Sequence, residues 1–280
     1  MQRHAVAATH ARLRHPSFAA PLSVPFHWLP DVPWQVLATL PLLIFAAYTV
    51  FGATGFGSSV IAVPALAHAF PLTFAVPLVT ALDCVATGTA SFRQWRHARL
   101  DEFRRLVPTM LLGIVAGTTL LVRLPRAPAL LALGVFVSFY GIYILAGPRQ
   151  RSTIHERWAW PIGLAGGAFS VLFGTGGPIY MVYLSARIHD KGELRATSSL
   201  LITSSVLMRA VVFIGSGLMF QDTLLSTAAL LAPAMLIGYV AGNRLHHALS
   251  RNGVMKLIAV LLVGNGTLLI GRAIAMWHAD

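Results

Sequence analysis

Two glycine-rich breaks carry the chemistry this sequence can offer. Phe173-Gly174-Thr175-Gly176-Gly177-Pro178 interrupts an apolar run from Trp158 to Leu184. Gly55-Phe56-Gly57-Ser58-Ser59 interrupts another from Trp34 to Phe70. A helix in an apolar medium satisfies its own backbone, and clustered glycines with a proline stop that ladder. The freed N–H and C=O groups are tolerated only where protein or a water-lined cavity receives them. After each break a new half-helix begins. Pro178 suits the first helical turn, where its missing N–H would be unpaired anyway. Ser58 and Ser59 are good N-terminal caps. Free N–H groups and the positive end of a helix dipole then point at the break, which describes a site for a small anion. Gly55, Gly57, Ser58, Ser59, Gly174, Gly176, Gly177 and Pro178 are its candidate residues. Gly57 and Gly176 are expected to need either a positive φ or close backbone approach. The competing reading is that the glycines only let helices pack closely. No strand precedes either break, so neither is a dinucleotide fingerprint.

Two charges inside apolar runs come next. An unpaired arginine at the centre of a membrane helix costs on the order of 3 kcal/mol on insertion scales, so Arg209 should face protein and find a partner. Asp83 lies near the middle of another run. Either the two form a buried structural ion pair, or Arg209 binds an anion while Asp83 titrates in proton coupling. Thr80, Thr87, Ser198, Ser199, Thr203 and Ser204 surround them in sequence. Such hydroxyls mostly bond back to their own backbone or to a neighbouring helix. Asn265 reads as a bond between helices. His155, His189, His246 and His247 sit at segment ends without carboxylates at metal-ligand spacing. The tryptophans cluster at segment ends, as interface anchors do. The single cysteine, Cys84, leaves no internal disulfide and no cysteine metal cluster. No metal and no cofactor is expected.

The elements that must position these residues follow from composition. Of 280 residues, 56% are hydrophobic and 11% charged, against about 25% charged in soluble domains. Mean hydropathy is +0.71. The pattern predicts an all-α polytopic membrane protein with about eight apolar segments: 34–70, 72–92, 106–122, 128–147, 158–185, 196–214, 227–243 and 256–276. Residues 1–33, broken by prolines, read as a flexible arm, neither a good signal peptide nor a spanning helix. The net charge of +12 lies mostly in short loops, so anionic lipid and cytoplasmic orientation explain it, and no nucleic-acid partner is inferred.

The chain reads as a duplication, with 34–147 and 158–276 as two membrane repeats. Leu112-Gly-Ile-Val-Ala-Gly117 matches Ile237-Gly-Tyr-Val-Ala-Gly242, and Gly141 matches Gly266. Two topologies compete. If segments one and five each cross once, the repeats are parallel and Lys and Arg divide poorly between faces. If each glycine break is the tip of a hairpin, the repeats are inverted. Most loop arginines then share one face, against Arg123, Arg126, Arg272 and the N-terminal arginines. The positive-inside rule favours the hairpins.

The Gly-x-Gly break followed by Pro64-x-Leu66, its Gly-x-Gly-Gly-Pro echo and the four-plus-four layout resemble the TauE/SafE family of sulfite and organosulfonate permeases, over about residues 35–275. The resemblance implies a bacterial-type inner-membrane permease, not an enzyme, moving a small sulfur-containing oxyanion by alternating access. Its partners would be that anion and membrane lipid, with an oligomer possible. By themselves the residues support only a small anion. A carboxylate or phosphonate transporter, or a membrane scaffold without transport, stays open. An intramembrane enzyme lacks any defensible His/Glu, Ser/Lys, Ser/His or paired-Asp arrangement.

Overall fold

In the computed structural model, the structure describes residues 34–54, 57–90, 98–147, 154–245 and 251–277. The N-terminal arm and Gly55 lie outside them. The described residues form helices and turns: α1 Trp34–Thr54, α2 Ser58–Leu66, α3 Leu72–Ala90, α4 Leu100–Arg123, α5 Arg126–Leu145, α6 Ala159–Phe173, α7 Gly177–Arg187, α8 Lys191–Gly215, α9 Leu224–Leu245 and α10 Arg251–Trp277. Where hydropathy suggests eight segments, five helices are long and apolar enough to cross a membrane: α4, α5, α8, α9 and α10. Apolar stretches in α1 and α3 are shorter, at Ala38–Thr54 and Leu72–Gly88.

Local chemistry sets the helix ends. α6 stops at Gly174, whose φ of +72° is the left-handed conformation glycine adopts without a Cβ penalty. α7 restarts with Pro178 in its first turn. Asp190 caps α8, its carboxylate accepting from Glu193 N at 2.8 Å. α4 carries Asp101 and Glu102 in its first turn and Arg123 in its last, the signs its dipole favours.

Glycine seams fix how the helices run. Gly238 and Gly242 of α9 press on the backbone of Phe45 and Thr49 in α1, and Gly52 of α1 presses on Tyr239 and Asn243. The numbers rise together, so α1 and α9 are parallel. Gly113 and Gly117 of α4 face Leu164 and Ala168 of α6, and Gly163 and Gly167 answer against Thr109 and Met110. That pair is parallel too. A Cβ on Gly134 would lie 2.8 Å from Gly266 O, and one on Gly141 would lie 2.8 Å from Ala259 O. Here the numbers run oppositely, so α5 and α10 are antiparallel. At such approach distances any side chain would part the helices, the usual reason for small residues at membrane helix contacts. Gly141 and Gly266, matched in the sequence as repeat mates, are both in this seam. Asn265 bonds His68 Nε2 at 2.8 Å, tying α10 to the turn after α2.

α7 doubles back on α6. Gly176 and Tyr180 both lie against Gly166, ten or more residues earlier. Arg187, ending α7, meets Glu102 at the start of α4 at 2.8 Å. It also reaches Glu156, just before α6, at 4.0 Å. α7 therefore ends where α6 began. α8 starts at the same end of the molecule, since Arg99 N donates to Thr197 Oγ1 at 2.8 Å. At the other end, His68 just past α2 accepts a hydrogen bond from Arg272 in the last turns of α10.

Candidate functional site

The two breaks meet. Gly57, Ser58, Ser59, Gly174, Gly176, Gly177 and Pro178 line one cavity, together with Asp83 and Arg209. The described candidates of both breaks are thus brought to one place with the two buried charges. Gly57 and Gly176 meet the expectation by different routes. Gly57 is left-handed at φ +103°, and a Cβ there would meet Val50 Cγ1 at an ordinary 3.8 Å. Gly176 has an ordinary φ of −77°. Its requirement is steric, because a Cβ would lie 2.6 Å from Gly166 O. The positive φ of the second break belongs to Gly174.

Asp83 and Arg209 form the centre. Asp83 is 3% exposed and Arg209 1%, and Arg209 Nη2 lies 3.4 Å from Asp83 Oδ2. Four donors hold the carboxylate. Tyr48 Oη donates to Oδ1 at 2.7 Å and Ser58 Oγ at 2.9 Å. Ser59 Oγ donates to Oδ2 at 2.7 Å, beside Arg209. This corrects the reading of Ser58 and Ser59 as caps. The residue preceding α2 is Gly57, without a side-chain cap bond, and both hydroxyls turn to the nearby carboxylate instead. A charge-assisted bond is roughly twice as strong as a neutral one.

Arg209 Nη1 donates to Ser170 O at 2.6 Å and approaches Ser170 Oγ at 3.3 Å. Ser170 Oγ in turn pairs with Ser205 Oγ at 2.9 Å. Two buried atoms of the cavity wall have no hydrogen-bond partner among the described residues: Arg209 Nε and Thr175 Oγ1. Buried polar groups are normally paired, so these two mark a place built for something polar. Three of the other candidate hydroxyls behave as membrane-helix hydroxyls do. Thr80 bonds Val76 O, Thr87 bonds Asp83 O and Ser198 bonds Leu194 O.

Sequence reasoning did not single out Tyr48, Ser170, Thr175, Tyr180 or Ser205. Thr175 was within reach, since it stands inside the second break. It also passed over Glu102, which is 2% exposed. Tyr183 Oη donates to Glu102 Oε2 at 2.7 Å, and Arg187 Nε and Nη2 donate to Oε1 at 2.9 and 2.8 Å. Arg105 adds a contact at 3.4 Å. The network fastens the end of α7 to the start of α4. Nearby, a hydrogen bond to exposed Asp101 holds the Arg99 guanidinium above its usual range. Among the described residues no group of His, Cys, Asp and Glu is arranged to hold a metal.

Residues 40–269 match the family described as Sulfite exporter TauE/SafE. The chain belongs to the TauE/SafE family. It is also 25% identical over 190 residues to a probable inner membrane transporter protein, TsaS, of Comamonas testosteroni, covering 68% of this chain and 80% of that protein. No solved structure matches the chain. Family membership and the five spanning helices make this TauE/SafE chain a multi-pass membrane protein of the inner-membrane transporter kind.

Proposed function

We propose that this TauE/SafE protein is a permease for a small sulfur-containing oxyanion, sulfite or an organosulfonate, working by alternating access. One observation carries the anion reading: a fully buried arginine lines the cavity where both glycine breaks meet, with its Nε and the Thr175 hydroxyl in the same wall unpaired among the described residues. The first residues of α7, Gly177 and Pro178, border the same cavity, so the positive end of a helix dipole adds to the field. In a water-poor setting such donors act more strongly than in water. The cavity measures about 40 Å³. That is room for roughly three water-sized groups, which suits the three oxygens of a sulfite or sulfonate head. The sulfur in the substrate rests on the family, and the geometry supports a small oxyanion.

The packing supports inverted repeats. α1 runs with α9, α10 against α5, and α4 with α6. If the chain reverses direction between α4 and α5 and between α9 and α10, α1 and α6 point oppositely. Each would enter from its own side and turn back at its glycine break, through α2 and α7. Arg99, Arg105, Arg157, Arg187, Arg195 and Arg244 then share one end, against Arg123, Arg126 and Arg272. The positive-inside rule makes the first end cytoplasmic.

The test is flux in vesicles reconstituted with the purified protein. Sulfite and small sulfonates should cross faster than chloride, acetate and phosphonate controls, and Arg209→Gln should abolish the difference. Equal rates for all anions, or a preference for acetate, would remove the sulfur oxyanion as substrate.

A further inference from the structure

We propose that Asp83 is a resident anion of the cavity, and that seating an external anion on Arg209 requires Asp83 to take up one proton. The inference rests on the anion-permease reading and adds its coupling. Asp83 already has what a bound oxyanion would want: two serine hydroxyls, a tyrosine hydroxyl and one edge of the guanidinium. The Nε edge of Arg209 and Thr175 Oγ1 are buried and unpaired in the same cavity wall. One guanidinium thus separates an occupied set of donors from a vacant one.

Charge decides what happens when the vacant set fills. The titratable groups facing Asp83 are Tyr48 from α1, Cys84 on its own helix and Arg209 from α8, while Tyr180 from α7 faces Arg209. α2 presents Ser58 and Ser59, and α6 presents Ser170. Among the described residues lining the cavity, Arg209 is the one cation and Asp83 the one carboxylate, so the wall is neutral. A monoanion entering beside Arg209 would leave two anions on one guanidinium out of water. Like charges sharing such a site cannot both stay ionised, and one accepts a proton. A sulfonate is the anion of a strong acid and will not. A proton from water adds to an Asp83 carboxylate oxygen, giving a neutral carboxyl group, and Arg209 keeps its charge for the ligand. When the anion leaves, the same proton is released. Each monoanion therefore moves with one proton, and the net charge moved is zero.

The experiment is titration calorimetry of the purified full chain in detergent, with methanesulfonate as the probe. It is run in two buffers of different ionisation heat, at several values from about pH 4 to about pH 9. Expected is uptake approaching one proton per methanesulfonate bound at the upper end, with affinity falling about tenfold per pH unit there. Asp83→Asn should bind with no proton uptake and an affinity flat with pH. If that variant does not fold, the wild-type proton count decides alone. Methanesulfonate binding without proton uptake at any pH would overturn this inference and leave the permease reading standing. If neither methanesulfonate nor sulfite, methylphosphonate or acetate binds, the anion reading falls and takes this inference with it.

Discussion

A Cβ placed on Gly174 would stand 2.9 Å from the Cβ of Ser59. The break in the second half of the chain thus rests on the first residues after the break in the first half. Gly174 is also left-handed. Gly174→Ala should therefore suffer twice, from strain and from collision, by roughly 1 to 3 kcal/mol. Gly177→Ala is the contrast. Its Cβ would meet only the Ile202 side chain, at an ordinary 3.5 Å. Thermal unfolding in detergent should show a clear loss for the first and none for the second. A wild-type melting temperature in Gly174→Ala would mean the left-handed turn is not required.

Arg209 and Asp83 should be separable by a double change. Arg209→Gln alone leaves a buried carboxylate without its cation, a loss on the order of 3 to 5 kcal/mol. Adding Asp83→Asn removes the stranded charge, so folding should recover while anion transport does not. Melting curves and vesicle flux on the same preparations read the two effects. Restored transport in the double variant would make the pair purely structural.

The Glu102 network predicts a graded series. Tyr183→Phe removes one hydrogen bond to a buried carboxylate and should cost about 1 to 3 kcal/mol. Glu102→Ala should cost more, because it also strands Arg187 at the end of α7. Unfolding temperatures in detergent should fall in that order. Equal, negligible effects would show that α7 holds its place without this network.

Topology can be read by labelling. After replacing Cys84, cysteines at His155 and Gly192 should react from the cytoplasmic side, and one at Ser216 from the other. All three positions are exposed. Labelling of Gly192→Cys from outside would contradict the hairpin arrangement of α6 and α7.

How much of this could be read in the sequence depends on the residue. Both breaks were legible, because glycine and proline punctuate apolar runs whatever surrounds them. Asp83 and Arg209 were legible because charge is conspicuous in such runs, although only the fold shows that they touch. Ser58 and Ser59 were found but given the wrong partner. The same hydroxyl can cap a helix or bond a carboxylate, and the choice lies with Asp83, 25 and 24 residues further along. Which glycine of the second break is left-handed also depends on context, since Gly174 ends a helix and Gly176 rests on Gly166. Glu102 was hidden among exposed charges. Its burial comes from Tyr183 and Arg187, more than eighty residues away in sequence. Tyr48 and Tyr180 look like any core aromatic until the cavity is seen.

The glycine seams have a consequence for how the protein is made. In each seam a helix from the first half of the chain closes on one from the second: α1 on α9, α4 on α6 and α5 on α10. A nascent chain inserts its first half with all three of those glycine faces unmatched. Their partners arrive only when the later helices are made. Neither half is a self-sufficient module. Two separately encoded halves should each be cleared by membrane proteases when produced alone, and persist only when both are produced in the same cell.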